Sequence, residues 1–135
     1  MENNYLKNIF VALVLNNKKY EYELYLVNQS ENTKYNRVEI LTGAFEGDLD
    51  GLVETSKVNK VLGALYPKSY ILLEKDGLNW LDMTIWYHLD IYLGTNKLDK
   101  VWFDFRYPMN YDTKKTKIPY LDKEGLKIEL TKVEE

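Results

Sequence analysis

The feature that most constrains the fold is a run of strict alternation from Leu81 to Leu93. Its odd positions are all apolar: Leu81, Met83, Ile85, Tyr87, Leu89, Ile91 and Leu93. Its even positions are polar or aromatic: Asp82, Thr84, Trp86, His88, Asp90 and Tyr92. Successive side chains of a β-strand point to opposite faces, so this run predicts a long strand with one buried face.

A second alternating run, from Lys100 to Tyr107, predicts the return strand of a hairpin. The two apolar faces coincide only in certain registers, because a slip of one residue turns every side chain to the other face. The favoured register pairs Leu89 with Phe103 and His88 with Asp104. It requires a loop of three or five residues, with Asn96 or Lys97 in the left-handed region or a bulge beside the loop.

Ile9 to Leu15 is apolar at every position, as expected for a strand that is buried on both faces. A turn at Asn16-Asn17 would pair Leu13 with Tyr20 in a second hairpin. Further strands are predicted at 37–45, 70–75 and 126–131, with an edge strand at 118–121 because Pro119 cannot donate to a ladder. Asp76-Gly77 is a turn signal that would lead into the central hairpin.

One helix is predicted, over Thr55 to Leu65. Val58, Val61, Leu62 and Leu65 have the spacing of one helical face, although the same residues suit a short strand. The whole pattern predicts a mainly β, single-domain chain over 1–135. Its expected architecture is an antiparallel β-sandwich, immunoglobulin-like or related, of about seven to nine strands with at most one short helix near 55–65.

Composition narrows the functional classes. The 135 residues include no cysteine, which excludes disulfides and thiolate chemistry. The net charge of −3 argues against non-specific electrostatic binding of nucleic acid. Neither a membrane span nor a signal peptide is apparent at the start of the sequence, so we expect a cytoplasmic protein with no membrane partner. Frequent Lys and Asn indicate an AT-rich genome, bacterial or phage.

The even-numbered face of the central hairpin is the predicted partner-binding site. Its residues are Trp86, His88, Asp90, Tyr92, Trp102, Asp104 and Arg106. Tryptophan, tyrosine and arginine dominate protein interfaces. Asp90 and Asp104, with Asp82 flanking them, make this an aromatic-acidic face. The alternative is that a second layer covers the face and the aromatic residues belong to the core.

Other motifs have weaker support. His88 with Asp104 would suit a small hydrolase, but no nucleophile motif accompanies them. Glu46 to Gly51 resembles the start of a calcium loop, yet the glutamate expected at its twelfth position is Lys57. We therefore expect no catalytic residues, no metal and no cofactor.

Three functions remain in order of preference. The first is a non-catalytic protein-binding module, such as a bacterial or phage inhibitor or immunity-type protein. The second is a domain that binds a small molecule or carbohydrate, since exposed aromatic rings beside carboxylates suit such ligands. The third is the hydrolase. The sequence does not indicate the oligomeric state.

Overall fold

The strands of the protein were assigned from a computed structural model, which describes residues 5–16, 21–48, 51–54, 58–77, 83–98, 100–106 and 115–133. A single 3-10 turn, Tyr5–Lys7, precedes the first strand. The strands are β1 Ile9–Asn16, β2 Glu21–Asn28, β3 Arg37–Asp48, β4 Gly51–Glu54, β5 Val58–Leu62, β6 Ser69–Gly77, β7 Met83–Leu93, β8 Asn96–Lys97, β9 Val101–Arg106, β10 Thr116–Ile118, β11 Lys123–Ile128 and β12 Thr131–Lys132.

These strands form two antiparallel sheets. The first sheet has the order β10–β11–β1–β2–β6, and the second has the order β12–β9–β7–β3–β4. In addition, β5 pairs with β3 and β8 pairs with β7. The predicted antiparallel β-sandwich is therefore confirmed. The strand number exceeds the predicted one partly because β8, β10 and β12 are only two or three residues long.

The main core lies between the two sheets. Alternation along β7 buries Tyr87, Leu89 and Ile91 completely, as the sequence predicted. The first sheet contributes Ile9, Val11, Leu13, Tyr22, Leu24, Leu26 and Leu73, and the second contributes Val38, Ile40, Ile85, Tyr87, Leu89, Ile91, Val101 and Phe103. The polar and aromatic positions of β7 consequently face away from the core.

A second apolar cluster lies on the β1–β2 part of the outer face of the first sheet. Its β1 and β2 members are Phe10, Ala12, Val14, Tyr25 and Val27, and Ile118 and Leu121 complete it. Ile118 ends the edge strand β10, and Leu121 lies in the turn that follows. The prediction that β1 is buried on both faces is confirmed. The predicted strand at 118–121 is at an edge, as expected, but its bounds are wrong, because the edge strand is Thr116–Ile118 and Pro119 to Leu121 lie in the turn after it.

The predicted helix over 55–65 is wrong. Residues 58–62 form β5, which pairs with β3 over five residue pairs from Val38↔Leu62 to Thr42↔Val58. A short helix is marginal without tertiary contacts, whereas the free side of β3 offers a complete ladder to the same residues. The part of the chain that the structure describes contains no helix long and apolar enough to cross a membrane.

The central hairpin has a different register from the predicted one. Tyr87 lies opposite Phe103, and Leu89 lies opposite Val101. The loop has two residues, because Leu93 pairs with Asn96, and Gly94 at its first position has φ +65°. Glycine at the first loop position is typical of a type II′ turn. The pairing of β7 with β8 and the pairing of β7 with β9 differ in register by one residue. This shift, which falls between Leu98 and Val101, puts the apolar side chains of β7 and β9 on the same face of the sheet.

The other two predicted turns also differ. Asn16 lies within β1 and pairs with Glu21, so Leu13 faces Leu24 instead of Tyr20. Apolar still faces apolar, because the two registers differ by an even number of residues. Asp76-Gly77 is not a hairpin turn: it continues β6 opposite β2, and β6 and β7 belong to different sheets.

Candidate functional site

The predicted site lies on the outer face of the second sheet. We call this surface the open face and define it by the outward side chains of β3, β5, β7 and β9. They are Arg37, Glu39, Leu41, Asn59, Val61, Trp86, His88, Asp90, Tyr92, Trp102 and Asp104. Antiparallel pairing brings these residues, which are far apart in sequence, onto one surface.

The aromatic side chains of the open face remain accessible. Trp102 is 36% exposed, and Trp86, His88 and Tyr92 are half-buried. None of them belongs to either buried apolar cluster. In the described part of the chain, a buried apolar cluster lies on the β1–β2 part of the outer face of the first sheet, and none lies on the open face. Trp102 is therefore at the surface, whereas Trp86, His88 and Tyr92 are partly buried.

The observed register changes which residues are neighbours. His88 lies opposite Trp102, and Trp86 lies opposite Asp104. The rings of Trp86 and His88 also lie side by side, with centroids 5.1 Å apart. Arg106 pairs with Thr84 through its backbone, and its side chain lies outside the described residues. The centre of the open face is thus an aromatic group of three rings.

Ion pairs surround the aromatic group. Asp90 lies between two lysines, with Lys97 Nζ 3.3 Å from Oδ2 and Lys100 Nζ 4.0 Å from Oδ1. Arg37 lies 4.1 Å from the ring centroid of Tyr92 and 3.0 Å from a carboxylate oxygen of Glu39. The prediction of an acidic face is corrected accordingly, because cations accompany most of its carboxylates.

Asp104 differs from the other carboxylates of the open face. It is exposed and forms no ion pair with another described residue. Its neighbours across the strands and along β9 are Trp86 and Trp102. A carboxylate beside two indole rings is an arrangement that can accept hydrogen bonds from a ligand while the rings supply apolar contact.

The sequence pattern did not indicate the part of the open face that β3 and β5 contribute. Arg37, Leu41 and Val61 are outside the central hairpin, and Val61 is 66% exposed. The alternation of Arg37, Val38, Glu39 and Ile40 identified the two faces of β3 but not its neighbour. Because β5 was predicted as a helix, nothing placed Val61 beside Glu39, its actual partner.

A second polar cluster lies at the edge where β5 and β6 meet. Tyr87 donates a hydrogen bond of 2.6 Å to Glu74 Oε1, and Tyr22 donates one of 3.1 Å to the same oxygen. Lys60 Nζ lies 3.5 Å from the other oxygen, Oε2. Burial, together with Tyr22 and Glu74, raises the pKa of Tyr87 far above its ordinary value, so its hydroxyl stays protonated and remains a donor.

The position of Glu74 follows from a β-bulge. Leu24 pairs with Glu74 and Tyr25 pairs with Leu72, so Leu73 is an additional residue in β6. A bulge re-aims the side chains beside it, and here both Leu73 and Glu74 reach core residues. Inward charges and bulges also discourage other chains from pairing with an edge strand. The cluster consequently links the two sheets at an edge that it also protects.

The described residues contain no group of three or more His, Asp or Glu side chains arranged to hold a metal ion. In the segment that resembles the start of a calcium loop, Glu46 to Asp48 belong to β3 and Gly51 begins β4, with Asp48 paired to Gly51. The described residues on either side therefore pair as antiparallel strands, whereas a calcium loop wraps around its ion. The side chains of this segment lie outside the described residues.

Comparisons with known proteins return no match: no family model, no curated protein and no solved structure resembles the chain. The geometry of the open face is therefore the basis for assigning a function.

Proposed function

We propose that the protein is a non-catalytic protein-binding module and that its partner docks on the open face. One observation carries this proposal: Trp86, His88, Tyr92 and Trp102 are accessible on a sheet face that no described residue covers. Aromatic side chains bury large areas, so their exposure leaves apolar surface that a partner can remove from water.

The arrangement of the open face supports a protein as the partner. Interfaces between proteins have aromatic residues at the centre and charged residues at the rim. Here the rings of Trp86, His88 and Trp102 are central, and the ion pairs of Arg37 and Asp90 lie farther along the strands. Tryptophan, tyrosine and arginine are also the residue types that contribute most to binding energy.

Within this class, we propose a bacterial or phage inhibitor or immunity-type protein that acts in the cytoplasm. Its support is compositional: a small chain with a net charge of −3, no cysteine and no catalytic motif. The hydrolase alternative has less support than binding, because the register puts Trp102 directly opposite His88 and leaves Asp104 at a diagonal position. His88 contributes a ring to the open face in this proposal.

Binding of a carbohydrate is the second candidate function. Asp104, which has no described ion-pair partner, lies next to the exposed ring of Trp102. A sugar could stack on the indole ring and donate hydroxyl hydrogen bonds to this carboxylate. Such a ligand would need only the β7–β9 half of the open face, whereas a protein would also use Arg37, Leu41 and Val61.

An affinity capture from a lysate of the source organism tests the proposal. Three immobilised proteins are compared: wild type, Trp102→Ala, and Tyr66→Ala, which removes an aromatic ring that is 56% exposed elsewhere. We expect one protein to be retained by wild type and Tyr66→Ala and lost with Trp102→Ala. A central interface tryptophan contributes about 2 kcal/mol or more, which corresponds to roughly a thirtyfold loss of affinity.

Circular dichroism and calorimetry complete the test. The spectra establish that both variants are folded, and titration with the captured protein, once purified, measures its dissociation constant. Equal retention by wild type and Trp102→Ala would disprove the open face as the docking site. If no protein is captured, a panel of oligosaccharides is titrated while tryptophan fluorescence is followed, and a response that Asp104→Asn abolishes would favour the carbohydrate function.

A further inference from the structure

One edge of the first sheet lacks the protection that the other edges of the sandwich have. Among the described edge strands, β12, β10, β4 and β5 have two, three, four and five residues, whereas β6 has nine. Natural edge strands are usually short, charged or bulged, because a long free edge can pair with another chain. The bulge at Leu73 and the inward Glu74 protect the second half of β6, so the first half, 69–72, is the exception.

The backbone groups of Tyr70 and Leu72 point towards this free edge. The N–H of Gln29, just after β2, donates a 2.7 Å hydrogen bond towards β1. The backbone groups of successive strand residues point to opposite sides, so those of Leu26, three positions earlier, face β6, where Leu26 pairs with Ile71. Ile71 consequently bonds to β2. The N–H and C=O groups of Tyr70 and Leu72 point the other way, where no described strand lies.

The side chains of this half of β6 are apolar and accessible. Tyr70 and Leu72 lie on the outer face of the first sheet and are 38% and 44% exposed. The ring of Tyr70 is held by an edge-to-face contact with Tyr25, with centroids 5.5 Å apart. Ile71 faces the main core but is only partly buried there. A neighbouring strand would therefore find both unpaired backbone groups and apolar side chains.

We propose that two copies of the chain associate through 69–72 of β6, as antiparallel strands related by a two-fold axis at Ile71. The axis puts Tyr70 of each copy opposite Leu72 of the other, so the outward backbone groups pair and the exposed apolar side chains meet twice. A two-fold axis at Tyr70 would instead put Leu72 opposite Lys68. An axis at Leu72 would put Tyr70 opposite Glu74. The edge is therefore complementary to itself in the register centred on Ile71.

The symmetry of this dimer determines where its open faces lie. A two-fold axis that relates antiparallel strands of one sheet is perpendicular to that sheet, so it keeps each face on the same side. Both copies therefore have their second sheet, and with it the open face, on the same side of the dimer. If the open face binds a protein as proposed above, the dimer can engage its partner twice and gain avidity. The association itself does not depend on that function.

Sedimentation velocity of the full chain, at concentrations up to roughly 1 mM, tests the proposal. A contact of a few residue pairs belongs to the smallest interfaces, so we expect a weak dimer whose fraction rises with concentration. Leu72→Lys should weaken association at least roughly tenfold, because the axis repeats the change and lysine on an edge strand opposes pairing. Leu93→Lys is the matched control, at a leucine of the second sheet that is 37% exposed, and should associate as wild type does. Circular dichroism establishes that both variants are folded.

Amide hydrogen exchange at low and high concentration provides a readout that requires no variant. The N–H groups of Tyr70 and Leu72 should exchange rapidly at low concentration and become protected as the concentration rises. The N–H of Ile71, which bonds to β2, should be protected at both. Absence of association, equal weakening by Leu72→Lys and Leu93→Lys, or exchange at Tyr70 and Leu72 that does not depend on concentration would each overturn the proposal.

Discussion

At the scale of single residues, the cluster around Glu74 explains how a carboxylate and two tyrosine hydroxyls are accommodated at the boundary of the core. Burying a hydroxyl is unfavourable unless it forms a hydrogen bond. The hydroxyls of Tyr22 and Tyr87 both donate hydrogen bonds to Glu74. Glu74 in turn keeps 14% of its side chain exposed and has Lys60 beside it, so its charge is not isolated. Neighbouring sheets are thereby joined by directional bonds as well as by apolar contact.

Replacing Tyr87 by phenylalanine tests the strength of this link. Tyr87→Phe should lower the free energy of unfolding by about 1–3 kcal/mol, because Glu74 loses its shortest hydrogen bond while the packing of the ring is retained. Urea denaturation measures the change. Tyr66→Phe, at an exposed ring, is the matched control and should change stability by less than about 0.5 kcal/mol. Equal effects of the two substitutions would contradict a role for the cluster.

Glu23 makes stability depend on pH. Burial alone would raise its pKa, but hydrogen bonds from Lys123 and Tyr25 and the attraction of Lys75 outweigh burial and lower the pKa below 4.5. A carboxylate with a lowered pKa stabilises the folded state above its unfolded pKa and loses that contribution as the pH falls. The stabilisation should therefore be present at neutral pH and disappear below a pH of about 4.5.

The variant Glu23→Gln measures this dependence. At neutral pH it should be less stable than wild type, and the difference should shrink as the pH falls below 4.5. Thermal unfolding at a series of pH values gives both curves. Glu124→Gln, at an exposed carboxylate without a described ion pair, should give a curve parallel to that of wild type. A pH-independent difference between Glu23→Gln and wild type would refute the expectation.

At the scale of the elements, β11 requires glycine at its contact with β1. A Cβ atom at Gly125 would lie 2.6 Å from the carbonyl oxygen of Leu13 and 3.1 Å from Cγ2 of Val14. The first of these is backbone that is held in the sheet, so it cannot move away at low cost. The close approach lets β10 and β11 bring Ile118 and Leu121 over the outer cluster.

Two alanine substitutions separate this steric requirement from the general effect of replacing glycine. Gly125→Ala should lower the free energy of unfolding by about 1–3 kcal/mol, the usual range for overpacking. Gly63→Ala should be neutral or slightly stabilising, because no atom lies within 4 Å of its Cβ position. Urea titrations of both variants provide the comparison, and equal destabilisation would show that the contact with Leu13 is not limiting.

At the scale of the whole molecule, the two outer faces of the sandwich differ in how far their apolar side chains are buried. Ile118 and Leu121 cover the β1–β2 part of the outer face of the first sheet, where Val27 is completely buried, whereas Tyr70 and Leu72 of β6 on the same face are 38% and 44% exposed. The open face of the second sheet leaves Val61 66% exposed. The described part of the open face therefore lacks the buried apolar cluster that β1 and β2 have on their outer side.

The same substitution on the two faces measures this asymmetry. Val27→Ala should lower the free energy of unfolding by about 2 kcal/mol, because it removes two buried methyl groups and leaves a cavity. Val61→Ala should change it by less than about 0.5 kcal/mol. Chemical denaturation of the two variants gives the values. A large loss of stability for Val61→Ala would mean that the open face is covered.

The amino-acid sequence by itself determined which side chains face the core. Alternation along β7 and β9 correctly predicted the burial of Ile85, Tyr87, Leu89, Ile91, Val101 and Phe103, although Leu93 is 37% exposed, and it predicted that Trp86 and Trp102 share a surface. These features are local consequences of the two-residue period of a strand, and an even change of register leaves them intact. For that reason the predicted set of outward side chains on the hairpin was correct, although the predicted cross-strand pairs were wrong.

Only the tertiary structure decided which strands are neighbours. In the folded protein, residues 58–62 form a strand beside β3, and β6 and β7 belong to different sheets. An apolar cluster lies on the outer side of β1 and β2, and a bulge in β6 directs Glu74 towards the edge of the core. Each of these outcomes depends on backbone hydrogen bonds or packing between residues far apart in the chain. Local periodicity contains no information about such partners, because one strand edge can satisfy many segments equally well.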